Sequence, residues 1–249
     1  MNIAFYSGVS GMIAFQNDLD VLAHNMANVS TVGYKPQRSS FEDLIYREMY
    51  INKEPGELVG HGVRDARVDL IFSGGNLQTT GYMLDYAIAG DGFFALERKG
   101  QREYTRNGAF NISIEGKNGY LVSDDGAYVL DSAGARIQLK RTQEGDFDVE
   151  SIGDQLGIYQ FDNPSGLQWT TGSSYTETAY SGEAKPVNRA GNNKNTQDFQ
   201  LRSGMLEAST VDMAQTMVDV IMAQRSFQFN SRVVQTADEV EEMVNTLRS

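Results

Sequence analysis

Cysteine is absent from the 249-residue chain, and proline, histidine and tryptophan are scarce, at four, two and one residues. The lack of cysteine excludes disulfides, thiolate-bound zinc, iron–sulfur clusters and thiol catalysis. It is compatible with the cytoplasm, and it also suits a chain that crosses an envelope unfolded and assembles in an oxidising space without mispairing. Basic clusters are missing too. Acidic residues outnumber basic ones 33 to 21, for a formal net charge of −12. The nearest approach to a basic patch is Lys140-Arg141. Nucleic acid and anionic lipid require clustered Lys or Arg, so neither is expected as a partner. No apolar run reaches the roughly 20 residues of a membrane span, so no membrane insertion is expected. Residues 1–15 are fairly apolar but have no Lys or Arg in front and contain Ser7, Gly8, Ser10 and Gly11. That is not a secretory signal, and work outside the cytoplasm would need an export route without a cleaved signal peptide.

Catalytic and metal-binding candidates are equally thin. His24 falls on the polar side of an N-terminal helical stripe and His61 in a glycine turn, with nothing to bring them together. Asp124-Asp125-Gly126 resembles a fragment of a calcium loop, but the closing Glu spacing is absent. Gly90-Asp91-Gly92 lacks the Gly-Lys-Ser/Thr end of a phosphate loop. No catalytic, cofactor-binding or metal residue is assigned, and no enzyme is expected. Trp169, Tyr159, Phe161 and Tyr175 would be the aromatic platform of a binding module, but they read better as core or strand-surface residues.

What is present is periodicity at both ends. Phe5, Met12, Leu19 and Met26 recur seven apart, with Gly8, Phe15, Leu22 and Val29 three residues on. This is the a/d pattern of a helix that packs on another helix. Its small residues disfavour an isolated helix but admit a second backbone closely. Gly33 suits a left-handed helix end and Pro36 blocks resumption. Residues 34–63 read as a connector, with Ser39 and Glu42 as a capping box for a short helix lined by Phe41, Leu44, Ile45 and Met49. Residues 64–204 carry short alternating strands at 93–98, 101–106, 109–114, 120–123, 127–130 and 156–161, separated by glycine turns such as Lys99-Gly100 and Asn107-Gly108. An antiparallel β body follows. Residues 181–198 read as a loop.

From Ser209 the pattern turns helical again, with Ser209 as N-cap and Asp212 in the first turn. Met213, Met217, Val220, Ile221, Phe227, Val234, Ala237, Val240, Val244 and Leu247 form one stripe. A helix from 210 to 248 would be about 60 Å long, more than a compact domain of this size is wide. The expected fold is therefore α+β. Segments 1–33 and 205–249 pair as a coiled coil and bracket a central β domain, and their stripes form an assembly interface. The methionines serve there as flexible apolar filler.

Several stretches together resemble the rod and hook proteins of the bacterial flagellum. The segment from Leu22 to Lys35 carries two asparagines three apart, Asn25 and Asn28, ahead of Thr31, Gly33 and Tyr34. The central signature matches at Gly75-Asn76-Leu77-Gln78-Thr79-Thr80-Gly81 and from Leu84-Asp85 through Gly90-Asp91-Gly92-Phe93-Phe94, followed by Tyr104-Thr105-Arg106-Asn107-Gly108-Ala109-Phe110. Gly204-Met205-Leu206-Glu207-Ala208-Ser209-Thr210-Val211, then Ala223-Gln224-Arg225-Ser226-Phe227 and Gln235-Thr236-Ala237-Asp238, match at the far end. Departures are small: His24, Met26, Tyr34 and Thr210 replace the more usual Asn, Leu, Phe and Asn. The resemblance implies an axial subunit of the basal-body rod in the periplasm. It would associate with itself and with other rod and hook subunits, carry torque, and leave the cell through the flagellar type III export apparatus. The match at 75–110 favours distal over proximal rod members, although the short connector and total length also suit a proximal one.

Overall fold

The computed structural model describes residues 3–51, 54–116, 118–139, 147–149, 151–187 and 199–247. The chain forms two compact units, one of Met1–Ala27, Gln37–Asp69 and Asp212–Ser249, the other of Asn28–Pro36 and Leu70–Val211.

In the first unit, helix α1 (Ile3–Ala27) packs along the final helix of the chain, Met213–Thr246. Strand β1 (Gln37–Asp43) pairs with β4 (Val63–Leu70), and β2 (Tyr46–Ile51) forms an antiparallel hairpin with β3 (Glu54–Gly60). The short helix expected within 39–49 is therefore replaced by strands. Its would-be cap is taken, because the Ser39 hydroxyl donates to the Asp18 carboxylate. Phe41 meets the Phe15 ring at 5.5 Å, and the Leu44 N–H donates to the Gly62 carbonyl at 2.9 Å. These partners come from α1 and from the residue just before β4, and they override the local helical spacing.

Both terminal helices are shorter than the sequence suggests. α1 stops at Ala27 because Thr31 donates from its N–H to the Asn28 carbonyl and from its hydroxyl to the Asn28 side chain, both at 3.1 Å, closing a turn. Val29 thus lies beyond the helix. The final helix is capped by Asp212, whose Oδ1 accepts from the Ala214 and Gln215 N–H groups at 2.9 and 3.1 Å. Ser209 does not cap it; its hydroxyl accepts from Val211 N at 3.4 Å. Among the described residues, no helix is long and apolar enough to cross a membrane.

The second unit is built on antiparallel strands: β5 (Leu77–Thr79), β6 (Tyr86–Gly90), β7 (Phe93–Arg98), β8 (Gln101–Thr105), β9 (Phe110–Glu115), β10 (Asn118–Ser123), β11 (Tyr128–Val129) and β12 (Gln138–Leu139). The short helix α2 (Ile152–Gln155) precedes β13 (Ile158–Gln160), β14 (Gln168–Thr171), β15 (Ser174–Thr176), β16 (Lys185–Pro186), β17 (Phe199–Ser203) and β18 (Met205–Glu207), and the chain ends in α3 (Met213–Thr246). The main path runs β12-β10-β11-β7-β8-β15-β14, with β9 on β10 and β13 between β7 and β16. The pairs β17–β6 and β18–β5 bring the end of the body back to its beginning. Of the loop expected at 181–198, residues 185–186 form β16, while 188–198, like Lys140-Arg141, lie outside the described residues.

Two glycine turns illustrate what local pattern can decide. Lys99 and Gly100 both take positive φ, 50° and 82°, and form the β7–β8 hairpin as the sequence suggests. Asn107-Gly108 makes no hairpin, since β9 pairs with β10 and not with β8. The Asn107 side chain accepts from Ala109 N, and Gly108 sits so close to β6 that a Cβ there would lie 1.6 Å from the Tyr86 carbonyl oxygen. The glycine serves backbone approach rather than turn chemistry.

The interior holds two apolar clusters, one around Phe94, Leu96, Leu121 and Ile158, the other around Phe93, Tyr104, Tyr159, Phe161 and Tyr175. Three members of the supposed aromatic platform are thus buried, and only Trp169 reaches the surface, with Nε1 donating to the Gly172 carbonyl. Burial pushes the Tyr34 and Tyr104 hydroxyls up to about 12, and that of Tyr175 up as well. Above pH 10, the ordinary tyrosine value, the unfolded chain releases these protons while the folded body retains them. Stability is therefore complete below that pH and falls as pH climbs towards 12. Alkaline titration followed by circular dichroism should show cooperative loss of the body in this window, and Tyr175→Phe should move the midpoint upward.

Candidate functional site

The seam between α1 and α3 is made of small residues. On α1 the buried positions are Gly8, Gly11, Ala14 and Asn25; on α3 they are Thr216, Ala223 and Ala237. The helices run antiparallel, since Gly8 faces Val234 and Gly11 faces Asn230. A Cβ on Gly8 would stand 2.9 Å from Val234 Cγ2, and one on Gly11 would stand 2.8 Å from Asn230 Cγ. Close backbone approach thus replaces large-residue interdigitation.

The large apolar residues lie beside this seam or away from it. Phe5, Met12, Phe15, Leu19, Leu22 and Met26 on α1 are half-buried, as are Val220, Phe227 and Val234 on α3. Met213, Met217, Ile221, Val240, Val244 and Leu247 are exposed, Ile221 at 58% and Leu247 at 87%. Val218, Met222, Phe229, Val233 and Met243 are exposed as well, although they lie outside the expected stripe. The sequence stripe is therefore split. Its Gly8 and Ala237 occupy the seam, and much of the rest is left towards solvent. The buried residues of α3, Thr216, Ala223 and Ala237, recur with Asn230 at seven-residue spacing, a row visible in the sequence once small residues are counted as interface formers.

Asn25 and Asn28 do different work. Asn25, 4% exposed, donates from Nδ2 to the Gln37 carbonyl at 2.7 Å and accepts the Gln37 N–H on Oδ1 at 2.9 Å. It clamps the start of β1 to α1. Asn28 builds the turn after α1. Gln224 and Arg225 lie exposed on α3, the latter donating to Gln228.

Gly33 and Phe93, with Lys35 and Arg106 from the same stretches, meet Glu207 at a buried ionic junction within the second unit. Glu207 is 1% exposed and accepts on Oε1 from Lys35 Nζ at 2.7 Å and Gly75 N at 2.8 Å, and on Oε2 from Arg106 Nη1 at 3.4 Å. Its backbone carbonyl takes the Gly33 N–H at 2.8 Å. Lys35 also donates to the Ser73 carbonyl, and Arg106 to the Ile88 carbonyl while lying over the Phe93 ring. Burial pushes the Lys35 ammonium below its ordinary value, and Glu207 opposes that shift. Gly33 (φ 68°), with a would-be Cβ 2.6 Å from the Arg106 carbonyl carbon, lets the segment pass. Tyr34 is buried, and its carbonyl accepts from Thr210 N at 3.3 Å. Gly90 and Gly92, at φ 110° and 145°, turn β6 into β7 so that Phe93 and Phe94 enter the core. Asp85 accepts from the Thr80 hydroxyl and gives its carbonyl to Gly204 N. Sequence reading placed Lys35, Arg106 and Glu207 inside the motifs without singling them out. The available signal was a charge in otherwise small and apolar surroundings.

With two cations on one carboxylate, removing the anion leaves buried positive charge unpaired. Glu207→Gln should cost the body about 3–5 kcal/mol in urea denaturation, whereas Lys35→Met, which leaves Glu207 its Arg106 partner, should cost less.

Comparison with known proteins now places these features. Residues 5–35 match the family described as Flagella basal body rod protein, residues 87–154 the Flagellar hook protein FlgE/F/G D1 domain, and residues 202–247 the Flagellar basal body rod FlgEFG protein C-terminal family. The chain is 35% identical to the flagellar basal-body rod protein FlgG of Bacillus subtilis, over 98% of this chain and 99% of that one. It is also 35% identical to the protein of the same name from Borreliella burgdorferi, over 98% of each. A FlgF rod protein of Mesorhizobium japonicum is 29% identical over 100% of this chain and 99% of its own length. The helical ends and the β body thus all match one lineage, and the chain belongs to the flagellar basal-body rod family as a structural subunit of the rod.

Proposed function

We propose that the chain is a distal rod subunit that polymerises through α1 and α3 and carries motor torque towards the hook. The observation that supports this most is the surface of α3. Its seam with α1 is already filled by small residues, yet Ile221, Met222, Phe229, Val240 and Leu247 stay exposed along more than one face. A monomer gains nothing from such a helix, while lateral neighbours would bury it. Each leucine-sized side chain so buried is worth about 1.5–3 kcal/mol. Coiled-coil contacts between subunits then resist twist and bending, because each helix is held on several sides. In functional terms, 1–33 with 205–249 forms the assembly domain, 34–63 the connector and 64–204 the outer body. The strength of the FlgG likeness favours the distal position over the proximal one.

The partners are further copies and other axial subunits. The flagellar type III apparatus exports the chain without a cleaved signal, a route that a chain without cysteine suits. The role is mechanical, with no catalysis, cofactor, nucleic acid or membrane insertion.

Ile221→Asp tests the reading. The side chain is exposed in the monomer, so thermal melts should be unchanged, while sedimentable polymer and motility are lost. A motile strain carrying this change, with normal filament-bearing basal bodies, would refute polymerisation through this face. Raising salt moderately should strengthen polymerisation by screening the −12 net charge.

A further inference from the structure

We propose that Asn230 fixes the sliding register of α1 against α3. The register belongs to a single chain; its consequence for assembly rests on the function proposed above. α1 contains only two glycines, Gly8 and Gly11, three apart and so on one face. Val234 and Asn230, four apart on α3, face them. A Cβ on Gly11 would lie 2.8–2.9 Å from three atoms of the Asn230 amide group, and a Cβ on Gly8 would lie 2.9 Å from Val234 Cγ2. Each glycine is a notch that admits one side chain. The amide is also held in place, because Asn230 Nδ2 donates to the Ser226 carbonyl at 3.0 Å. Swinging it aside would cost that bond.

No neighbouring register seats both side chains. Sliding α1 by three residues one way puts Val234 on Gly11 but drives Asn230 against Ala14. The opposite slide puts Asn230 on Gly8 but drives Val234 against Phe5. Slides of four residues set Met12 and Phe15, or Ala4 and Ser7, against Val234 and Asn230, each adding at least a Cβ where the present fit leaves room for none. The other members of the contact row, Thr216, Ala223 and Ala237, are small and discriminate poorly. Asn230 is the one bulky polar side chain in the row, and a lone polar group in an apolar helix interface is a known register device.

The register sets what α3 presents beyond its partner. With Gly8 opposite Val234, Ile3 stands opposite residue 239 or so. The last turns of α3, with exposed Val240, Met243, Val244 and Leu247, therefore run past the described start of α1. A one-turn slip would lengthen or shorten this free end by about 5 Å.

The absence of native cysteine allows a direct test on the full chain. Nitroxide labels go on Tyr6→Cys and Met217→Cys, both exposed, in the Ile221→Asp background, so that the result does not depend on whether the chain polymerises. Their separation along the helix axis is roughly 25–30 Å. Pulsed electron–electron resonance should give one narrow distance with Asn230 present. With Asn230→Ala, a second population displaced by about one turn, ~5 Å, should appear, with helix content unchanged. Asn230→Ser, which puts a small hydroxyl in place of the amide, serves if the alanine variant loses helix, and the same second population is expected. Gln235→Ala, on the same helix but exposed, should leave the distribution as it was. A distribution that neither Asn230 variant alters, or one already as broad in the parent, overturns the proposal.

Discussion

The carboxylate of Glu207 holds together segments that are far apart in sequence. Lys35 follows α1, Gly75 precedes β5, Arg106 follows β8, and Glu207 itself closes β18 shortly before the α3 cap. A charge buried this deeply needs partners at short range, so the fold must bring the donors to the acceptor. That requirement explains the surrounding glycines. Gly33 passes the Arg106 backbone, Gly75 offers its N–H where a Cβ would lie 2.6 Å from the Ala208 carbonyl oxygen, and Gly90 and Gly92 bring Phe93 beneath the guanidinium. The segments around Gly33 to Lys35 and around Glu207 are thereby joined within the β body.

The helices follow a different logic. Where the body buries aromatic rings, the α1–α3 seam buries glycine, alanine and threonine. Small residues give little hydrophobic stabilisation per contact but allow backbones to approach, so that many weak dispersion contacts add up. They also free the large apolar residues for other neighbours. A helix pair whose best apolar side chains are not used internally is marginal in isolation, which fits a subunit of a larger rod. Its local fixing depends on few groups: Asp212 at the cap of α3, and Asn25 holding Gln37.

Sequence reading was most successful where a physical period or a stereochemical demand repeats. The two terminal helices, the β7–β8 hairpin at Lys99-Gly100 and the left-handed conformation of Gly33 were legible for that reason, although α1 stops at Ala27 and Gly33 does not end it. It failed where a distant partner outvoted the local signal. Ser39 and Phe41 lost a helical role to Asp18 and Phe15 in α1. The cap passed from Ser209 to a local competitor, Asp212, whose carboxylate accepts two N–H groups. Asn107-Gly108 carries a strong hairpin signature, yet its glycine is spent on the Tyr86 carbonyl. The ionic junction was hidden differently. Lys35, Arg106 and Glu207 are separated by up to 172 positions, and no periodicity links them. Most of the small residues buried along α1 and α3 were not legible, because hydrophobic periodicity finds large residues.

Exposed apolar faces also carry a hazard, which the acidic composition addresses. Asp219, Asp238, Glu239, Glu241 and Glu242 are interspersed with Val218, Ile221, Val240, Met243 and Val244 on α3. Free subunits that meet by chance bring like charges together at the same moment as apolar surface. At physiological ionic strength such repulsion acts over about 8 Å, whereas apolar burial requires contact within about 4.5 Å. A glancing encounter therefore meets the repulsion first, while a subunit docking at a preformed end buries several large side chains at once. At about 1.5–3 kcal/mol for each such side chain, that burial exceeds the screened repulsion only when many are covered together. Opposing the two terms on one helix favours growth from an ordered end over association in free solution, which is the behaviour an axial rod requires.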